Sequence, residues 1–189
     1  MSVEAILNMM KQKGIGETAG GIVTDYSDII TGEILLGATV TMGEHQWVVC
    51  HIDYNGGVFY LLDAVVEEKC KFGSTANYPG STLAAKAAAF ESSLPSNVTD
   101  KLLTVNVSGV SAKVFVPTKA QYQGGFNLFS TEDNDAGRIG YHNGVATDVW
   151  TSSPTGSTGM AWYVVNAGNF NNIGVTSTNG FRPAVCLPL

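Results

Sequence analysis

The three cysteines and three histidines are the side chains of this sequence best suited to covalent chemistry. A cysteine nucleophile needs a histidine beside it to accept its proton. Cys50 and His51 are adjacent, but neighbouring residues of a strand point to opposite faces of a sheet. The spacing of His45 likewise places a useful partner on the opposite face of a strand. His142 lies alone in a polar segment. We therefore assign no catalytic residue and expect a protein that is not an enzyme.

STEDNDAG, residues 130–137, groups several side chains that could supply oxygen ligands for a metal ion. This segment lacks the ligand spacing and the closing glutamate of an EF-hand calcium loop. The cysteines are widely spaced and odd in number, which argues against a CxxC zinc site and against a disulfide framework. The glycine-rich residues 14–21, GIGETAGG, do not follow a strand as a phosphate-binding loop would. We expect buried free thiols and neither a metal nor a cofactor.

Aromatic rings and amide groups are concentrated in the second half of the chain and indicate a binding surface. Aromatic faces supply apolar contact area, and amides supply donors and acceptors, a combination that suits sugars and flat protein surfaces. The candidate binding residues are Tyr122, Tyr141, His142, Asn143, Tyr163, Asn166, Asn169 and Asn171. Trp162 lies among them, but it alternates with Met160 and Val164, a pattern that predicts a buried structural residue.

Arg182 stands in the closing segment NGFRPAVCLPL, between residues that are typical of a core. An unpaired charge in a low-dielectric interior costs several kcal/mol. Arginine has five N–H donors, which a carboxylate or several main-chain carbonyl groups can accept. We therefore expect Arg182 to be a structural residue that is paired inside the protein.

Composition limits the classes of partner. The net charge is −6, the pI is near 4.9, and no run of basic residues is interleaved with aromatic ones, so nucleic-acid binding is not expected. The first residues, MSVEAILNMMKQKG, lack the pattern of a signal peptide, and no apolar stretch has the length of a membrane span. We expect synthesis in the cytoplasm without a signal peptide and no membrane span.

Apolar spacing predicts a helix over residues 2–13, which the glycines of residues 14–21 interrupt. We therefore divide the chain into an N-terminal helix and flexible anchoring segment, residues 1–32, and one domain, residues 33–189. The helix either anchors the chain to a partner or packs back on its own domain.

The domain begins with strand patterns. TVTMGEHQWVVCHID and GVFYLLDAVV flank DYNGG, in which Asn-Gly is typical of a tight hairpin turn. STLAAKAAAFESSLP predicts a helix that Ser81 caps and Pro95 ends, with Leu83, Ala87, Phe90 and Leu94 on one side. KLLTVNVSG and AKVFVP predict two short strands around a Ser-Gly turn.

Residues 117–159 show little periodicity and predict a long, turn-rich loop that its aromatic residues keep ordered. Strand patterns return from Met160, and the last strand follows Gly180. The fold class we expect is α+β, with two helices, short antiparallel sheets and long ordered loops.

A series of motifs carries a family resemblance across about residues 34–188: GEHQWVV, KVFVPTKAQY, VWTSSP, AWYVVNAGNF and GFRPAVCL. The series resembles a family of bacterial and phage domains of unknown function. That family is similar to a branch of the C-type-lectin-like fold, which formylglycine-generating enzymes and phage tropism proteins share. The resemblance implies a C-type-lectin-like domain over residues 33–189.

The same resemblance implies structural roles. Trp47 would be a core residue of the first hairpin, and Trp150, Ser152, Ser153 and Pro154 would form a turn under the last sheet. Arg182 would reach that turn or a nearby carboxylate such as Asp148. Thr151 stands where the family often has an arginine, so any role of that arginine is missing here.

The resemblance also implies a function. Formylglycine-generating enzymes use a close pair of cysteines upstream of their GFR motif, whereas only Cys186 lies in the C-terminal half here, so that activity is a remote alternative. We expect a non-enzymatic bacteriophage or prophage virion protein, a capsid or tail decoration or fibre protein. It would be a homo-oligomer held to other virion proteins through residues 1–30. The alternative is a module at the tail tip that binds a host receptor or carbohydrate, either a glycan or a protein of the host surface.

Overall fold

Strands dominate the architecture. The structure is a computed structural model that describes residues 34–54 and 56–189. The helix predicted over residues 2–13, the glycine-rich residues 14–21 and Asn55 of the first hairpin turn lie outside the described residues. Antiparallel sheets with few helices agree with the expected α+β class at this coarse level. None of the helices in the described ranges has the length and apolarity that crossing a membrane requires.

Sheet one joins the beginning of the described chain to its end. Its strands, in spatial order, are β1 (Thr39–Met42), β2 (His45–Tyr54), β3 (Gly57–Leu62), β14 (Ala184–Pro188) and β7 (Val114–Phe115), and all neighbours are antiparallel. The last strand of the chain therefore lies between β3 and β7 in the interior of this sheet.

Two hydrophobic clusters cover the two faces of sheet one. Cluster one includes Trp47, Tyr60, Phe90 and Trp150, and cluster two includes Phe59, Phe115, Tyr122 and Phe126. Successive residues of a strand point to opposite faces, so β3 alternates between the clusters: Val58, Tyr60 and Leu62 face cluster one, and Phe59 and Leu61 face cluster two. This is why every residue of GVFYLL is buried.

Sheet two contains most of the closing third of the chain. Its order is β12 (Phe170–Gly174), β11 (Met160–Val164), β10 (Val149–Pro154), β13 (Thr178–Phe181) and β4 (Glu67–Lys71). The neighbours are antiparallel, except for one parallel pairing of β10 with β13, Val149 with Gly180.

Two short hairpins stand outside these sheets, β5 (Val105–Val107) with β6 (Val110–Ala112) and β8 (Gly140–His142) with β9 (Val145–Thr147). Their turns are Ser108-Gly109 and Asn143-Gly144, with positive φ at both positions (50° and 85°, 50° and 79°). Two central residues with positive φ match the right-handed twist of the flanking strands, which explains these short polar turns. The predicted Ser-Gly turn is confirmed, but it joins β5 to β6, and the second predicted strand, AKVFVP, falls mainly on β7, which pairs with β14 in sheet one.

The predicted alanine-rich helix is α1 (Thr82–Phe90), with Ser81 as its cap: the Ala84 N–H donates to the Ser81 hydroxyl at 3.0 Å. Leu83, Ala87 and Phe90 are buried as expected. The helix ends four residues earlier than Leu94, because a 3-10 turn, Glu91–Ser93, intervenes before α2 (Ser96–Thr99).

The prediction of a continuous loop over residues 117–159 is wrong, because β8, β9 and β10 lie within it. The expected turn at Trp150, Ser152, Ser153 and Pro154 is also wrong: VWTSSP is strand β10, between β11 and β13. Periodicity does not indicate this strand, because some of its buried residues are polar. The Thr151 hydroxyl donates to the Trp162 carbonyl at 2.9 Å, and the Ser152 N–H donates to the Pro117 carbonyl at 2.9 Å.

Candidate functional site

Arg182 lies where the chain passes from sheet two into sheet one, and only 4% of it is exposed. Its Nε donates to the Leu62 carbonyl at 2.7 Å, and its Nη1 donates to the Arg138 carbonyl at 3.3 Å. The contact expected with β10 or with Asp148 is wrong, since the Asp148 carboxylate instead accepts the main-chain N–H of Asn166. The sequence left two kinds of partner open for Arg182, a carboxylate or main-chain carbonyls. Arg182 binds the carbonyls.

A second buried arginine, Arg138, was missed by the sequence analysis although its surroundings, Gly-Arg-Ile-Gly, resemble those of Arg182. Its guanidinium donates to the carbonyls of Tyr122 at 2.8 Å, Glu132 at 2.8 Å and Gly168 at 3.1 Å, and to that of Ser130. Burial lowers the pKa of Arg138, while Asp135 and Asp133 oppose that shift. One side chain therefore joins three segments that have no shared strand ladder.

Asp135 closes the acidic loop 130–137. Its carboxylate accepts the main-chain N–H of Ser130 at 2.6 Å and that of Gly137 at 2.8 Å. Gly168 packs so closely here that a Cβ at its position would lie 2.9 Å from the Asp135 carbonyl carbon. Across residues 34–54 and 56–189, no three His, Cys, Asp or Glu side chains are grouped as metal ligands. The loop is held by hydrogen bonds to its own main chain and to Arg138.

The β8–β9 hairpin presents three of the predicted binding residues. Tyr141 is 45% exposed, and Asn143 is exposed at the turn. His142 is half-buried, with its Nδ1 2.9 Å from the Val65 carbonyl, and the Val65 N–H donates to the Tyr141 carbonyl at 2.9 Å. The hairpin is thereby fixed to the segment before β4, while its tyrosine ring and its turn amide face outward.

The β11–β12 hairpin contains four more of the predicted binding residues, of which Tyr163 is buried. Tyr163 and Asn171 are cross-strand neighbours, Asn166 and Asn171 are exposed, and Asn169 is half-buried. Burial raises the pKa of Tyr163, Asp148 raises it further, and a hydrogen bond with Asn171 opposes the shift. Asp148 directly follows β9 and accepts the Asn166 N–H at 2.8 Å, so it links the two hairpins.

Three aromatic assignments from the sequence are wrong. Tyr163 packs into cluster one and is only 9% exposed, so it is not a surface binding residue. Tyr122 is fully buried in cluster two, 5.3 Å from the Phe129 ring, and burial raises its pKa to about 12, so it is not a surface binding residue. Trp162 is only partly buried, because Ala161 and Tyr163 are the residues of β11 that pack into cluster one. The Lys119 ammonium lies 3.4 Å from the centroid of the Trp162 ring, a cation–π contact. Trp47 and Trp150, in contrast, are fully buried.

The cysteines are buried free thiols, as expected. Burial raises the pKa of Cys50 to about 12 and the pKa values of Cys70 and Cys186 to about 11. A thiol is a nucleophile or a metal ligand in its ionised form, so at neutral pH these three side chains act as apolar core residues.

Comparison with protein families assigns the second half of the chain. Residues 89–189, more than half of the sequence, match the family model described as Domain of unknown function (DUF6273). The chain belongs to this family. No curated protein and no solved structure matches it.

The DUF6273 match contains both buried arginines and strands β5 to β14, but it excludes β1 to β4. Those earlier strands complete both sheets, since β3 pairs with β14 and β4 pairs with β13. Residues 34–88 are therefore part of the same folded unit as the family region.

We expect Arg182→Ala to lower the free energy of unfolding by about 3 kcal/mol or more, because the Leu62 and Arg138 carbonyls would lose a buried donor. Arg182→Lys keeps the charge but loses the planar fork of donors, so its loss should be intermediate. Urea unfolding measures both variants. A loss below about 0.5 kcal/mol for Arg182→Ala would contradict the structural role.

The raised pKa values predict loss of stability in alkali. Cys50 and Tyr122 both have a pKa of about 12 in the folded protein, above their ordinary values of 9.0 and 10.0. The unfolded chain thus releases these protons first, so their contribution is complete below about pH 9 and is lost as the pH rises towards 12. Urea unfolding between about pH 8 and pH 11 should show a falling free energy of unfolding, with a shallower slope in Cys50→Ala. A flat profile would contradict this assignment.

Proposed function

We propose that this chain is a non-enzymatic bacteriophage or prophage virion protein, a capsid or tail decoration or fibre protein that displays a C-type-lectin-like domain. The motif series from GEHQWVV to GFRPAVCL supports the fold and the phage context by resemblance. The structural observation that carries the proposal is the binding of Arg138 and Arg182 to main-chain carbonyls. Both guanidinium groups hold loops, and both are buried.

A display domain needs fixed loops whose outward side chains are not required for folding. Tyr141 and Asn166 meet this need, because each forms its hydrogen bond to a neighbouring segment through the main chain. Val65 donates to the Tyr141 carbonyl, and Asn166 donates its N–H to Asp148. The side chains of both residues are exposed.

The position of the described N-terminus agrees with attachment through residues 1–30. Residue 34 leads into β1, an edge strand of sheet one, whereas the exposed candidate residues lie on β8–β9 and on the β11–β12 end of sheet two. Attachment and presentation would then use different parts of the domain.

We expect electron microscopy of the native virion to locate this chain in many symmetric copies on a capsid or a tail, with residues 1–30 against the particle. A chain that begins at Glu33 should fail to assemble on particles, because it lacks the attachment segment. The matched control is the full chain with Asn106→Ala, an exposed position on β5 that should leave assembly intact. Normal assembly of the shortened chain would contradict attachment through residues 1–30.

A second candidate function is binding of a host-surface glycan or protein at the tail tip. The observation that favours it is the exposed tyrosine and amide on β8–β9, Tyr141 and Asn143, together with the exposed amides of Asn166 and Asn171 on the β11–β12 hairpin. An exposed tyrosine supplies a rigid contact surface with a polar end, and the surrounding amides supply hydrogen bonds.

Replacement of Tyr141 by alanine or of Asn143 by glycine should then abolish binding to host cells or to an array of host glycans. The melting temperature should not change, because glycine tolerates the positive φ of residue 143. Asn106→Ala is again the control, because Asn106 is an exposed amide on the β5–β6 hairpin. Few copies of the chain at a distal tip would also favour this function. Host-cell binding that survives both Tyr141→Ala and Asn143→Gly would exclude this surface as the receptor site.

A further inference from the structure

An uncharged groove of about 570 Å³ lies between two loops of sheet two, residues 74–77 after β4 and residues 154–159 between β10 and β11. Its size falls in the range of small-molecule sites, about 300–1,000 Å³. The candidate binding residues on the β8–β9 turn and in the β11–β12 loop do not line it. Residues 165–169 follow the other end of β11, so the groove and that loop lie at opposite ends of this strand.

The first wall of the groove is held by buried aromatic residues on both sides of residues 74–77. Phe72 and Tyr78 are buried, with ring centroids 6.2 Å apart, and Phe72 also packs against Trp150 at 5.6 Å. The Tyr78 hydroxyl accepts the Val116 N–H at 3.3 Å. The loop is therefore anchored in cluster one at both of its ends.

The second wall is a tight loop joined to the first through Val175. The Gly73 N–H donates to the Val175 carbonyl at 3.2 Å, and the Val175 N–H donates to the Gly159 carbonyl at 2.9 Å. Gly156 and Gly159 have φ of 87° and 89°, a conformation that favours glycine. The groove is formed in advance, so little ordering entropy opposes the binding of a ligand.

The residues that line the groove favour an uncharged ligand with many hydroxyl groups. The lining residues include no Asp, Glu, Lys or Arg. Within the described ranges, the hydroxyls of Ser74, Ser157 and Thr158 have no hydrogen-bond partner. Asn77 donates its Nδ2 to the Pro79 carbonyl at 3.1 Å, which leaves its amide oxygen as an acceptor.

We propose that the groove between residues 74–77 and 154–159 binds a neutral oligosaccharide. Sugar hydroxyls both donate and accept, as the serine, threonine and asparagine groups of the walls do. The C–H face of a sugar ring would pack on Ala76 and Pro154. The lining residues offer a charged ligand no side chain of opposite charge. This inference is independent of the virion proposal, because the groove contains none of residues 1–30.

The test is titration of the full chain with neutral tetrasaccharides of glucose, galactose and N-acetylglucosamine, and with a sulfated galactose tetrasaccharide, by NMR and calorimetry. We expect at least one neutral probe to bind and to shift the amide signals of residues 74–77 and 154–159. Ser157→Trp, at an exposed position, should fill the groove and weaken binding at least about tenfold. Thr158→Ala, a milder change, should weaken it less.

Asn106→Ala is the matched control and should leave the affinity unchanged, since Asn106 is an exposed amide on β5 that does not line the groove. Binding of no neutral probe at millimolar concentration would overturn the proposal. So would equal binding of the sulfated probe, or an affinity that Asn143→Gly abolishes and Ser157→Trp does not change. Each of these results leaves the location of the chain on a particle, and hence the virion proposal, to be decided by microscopy.

Discussion

The bonding of two buried guanidinium groups to main-chain carbonyls is the interaction on which the irregular half of this domain depends. Arg182 binds the carbonyl of Arg138, and Arg138 in turn binds carbonyls of residues 122, 130, 132 and 168. A buried carbonyl without a partner is costly, and these segments have no neighbouring strand to supply one. Since a guanidinium has only donors, two arginines satisfy several such carbonyls at once.

Sheet one provides the frame to which this network is attached. Its central strand β3 contributes to both hydrophobic clusters, and its last residue, Leu62, accepts the Arg182 Nε. Cluster one lies on the face with α1 and Trp150, and cluster two contains Tyr122, whose carbonyl binds Arg138. The arginine network and the two clusters are therefore one continuous interior, which explains why the DUF6273 segment requires residues 34–88 to complete its sheets.

Sequence analysis succeeded where local chemistry decides the structure. The Ser81 cap determines where α1 starts, and Ser108-Gly109 supplies the positive φ angles of a hairpin turn. It failed at β10, because Thr151 and Ser152 are buried polar residues whose partners, Trp162 and Pro117, are distant in the sequence. Arg138 was missed for the same reason, since its carbonyl partners span residues 122–168 and no spacing rule connects them.

In the candidate surface, main-chain groups and side chains have different roles. Loop positions are held through main-chain groups: the carbonyl of Tyr141, the N–H of Asn166 and the carbonyl of Gly168 each bond to another segment. The exposed side chains of Tyr141 and Asn166 contribute little to that bonding, so their substitution changes the surface while the loops keep their supports. Tyr122 shows the opposite case, because its ring fills cluster two while its carbonyl binds Arg138. A domain built in this way can present different outward residues on one unchanged interior, which is the physical requirement for a displayed recognition surface.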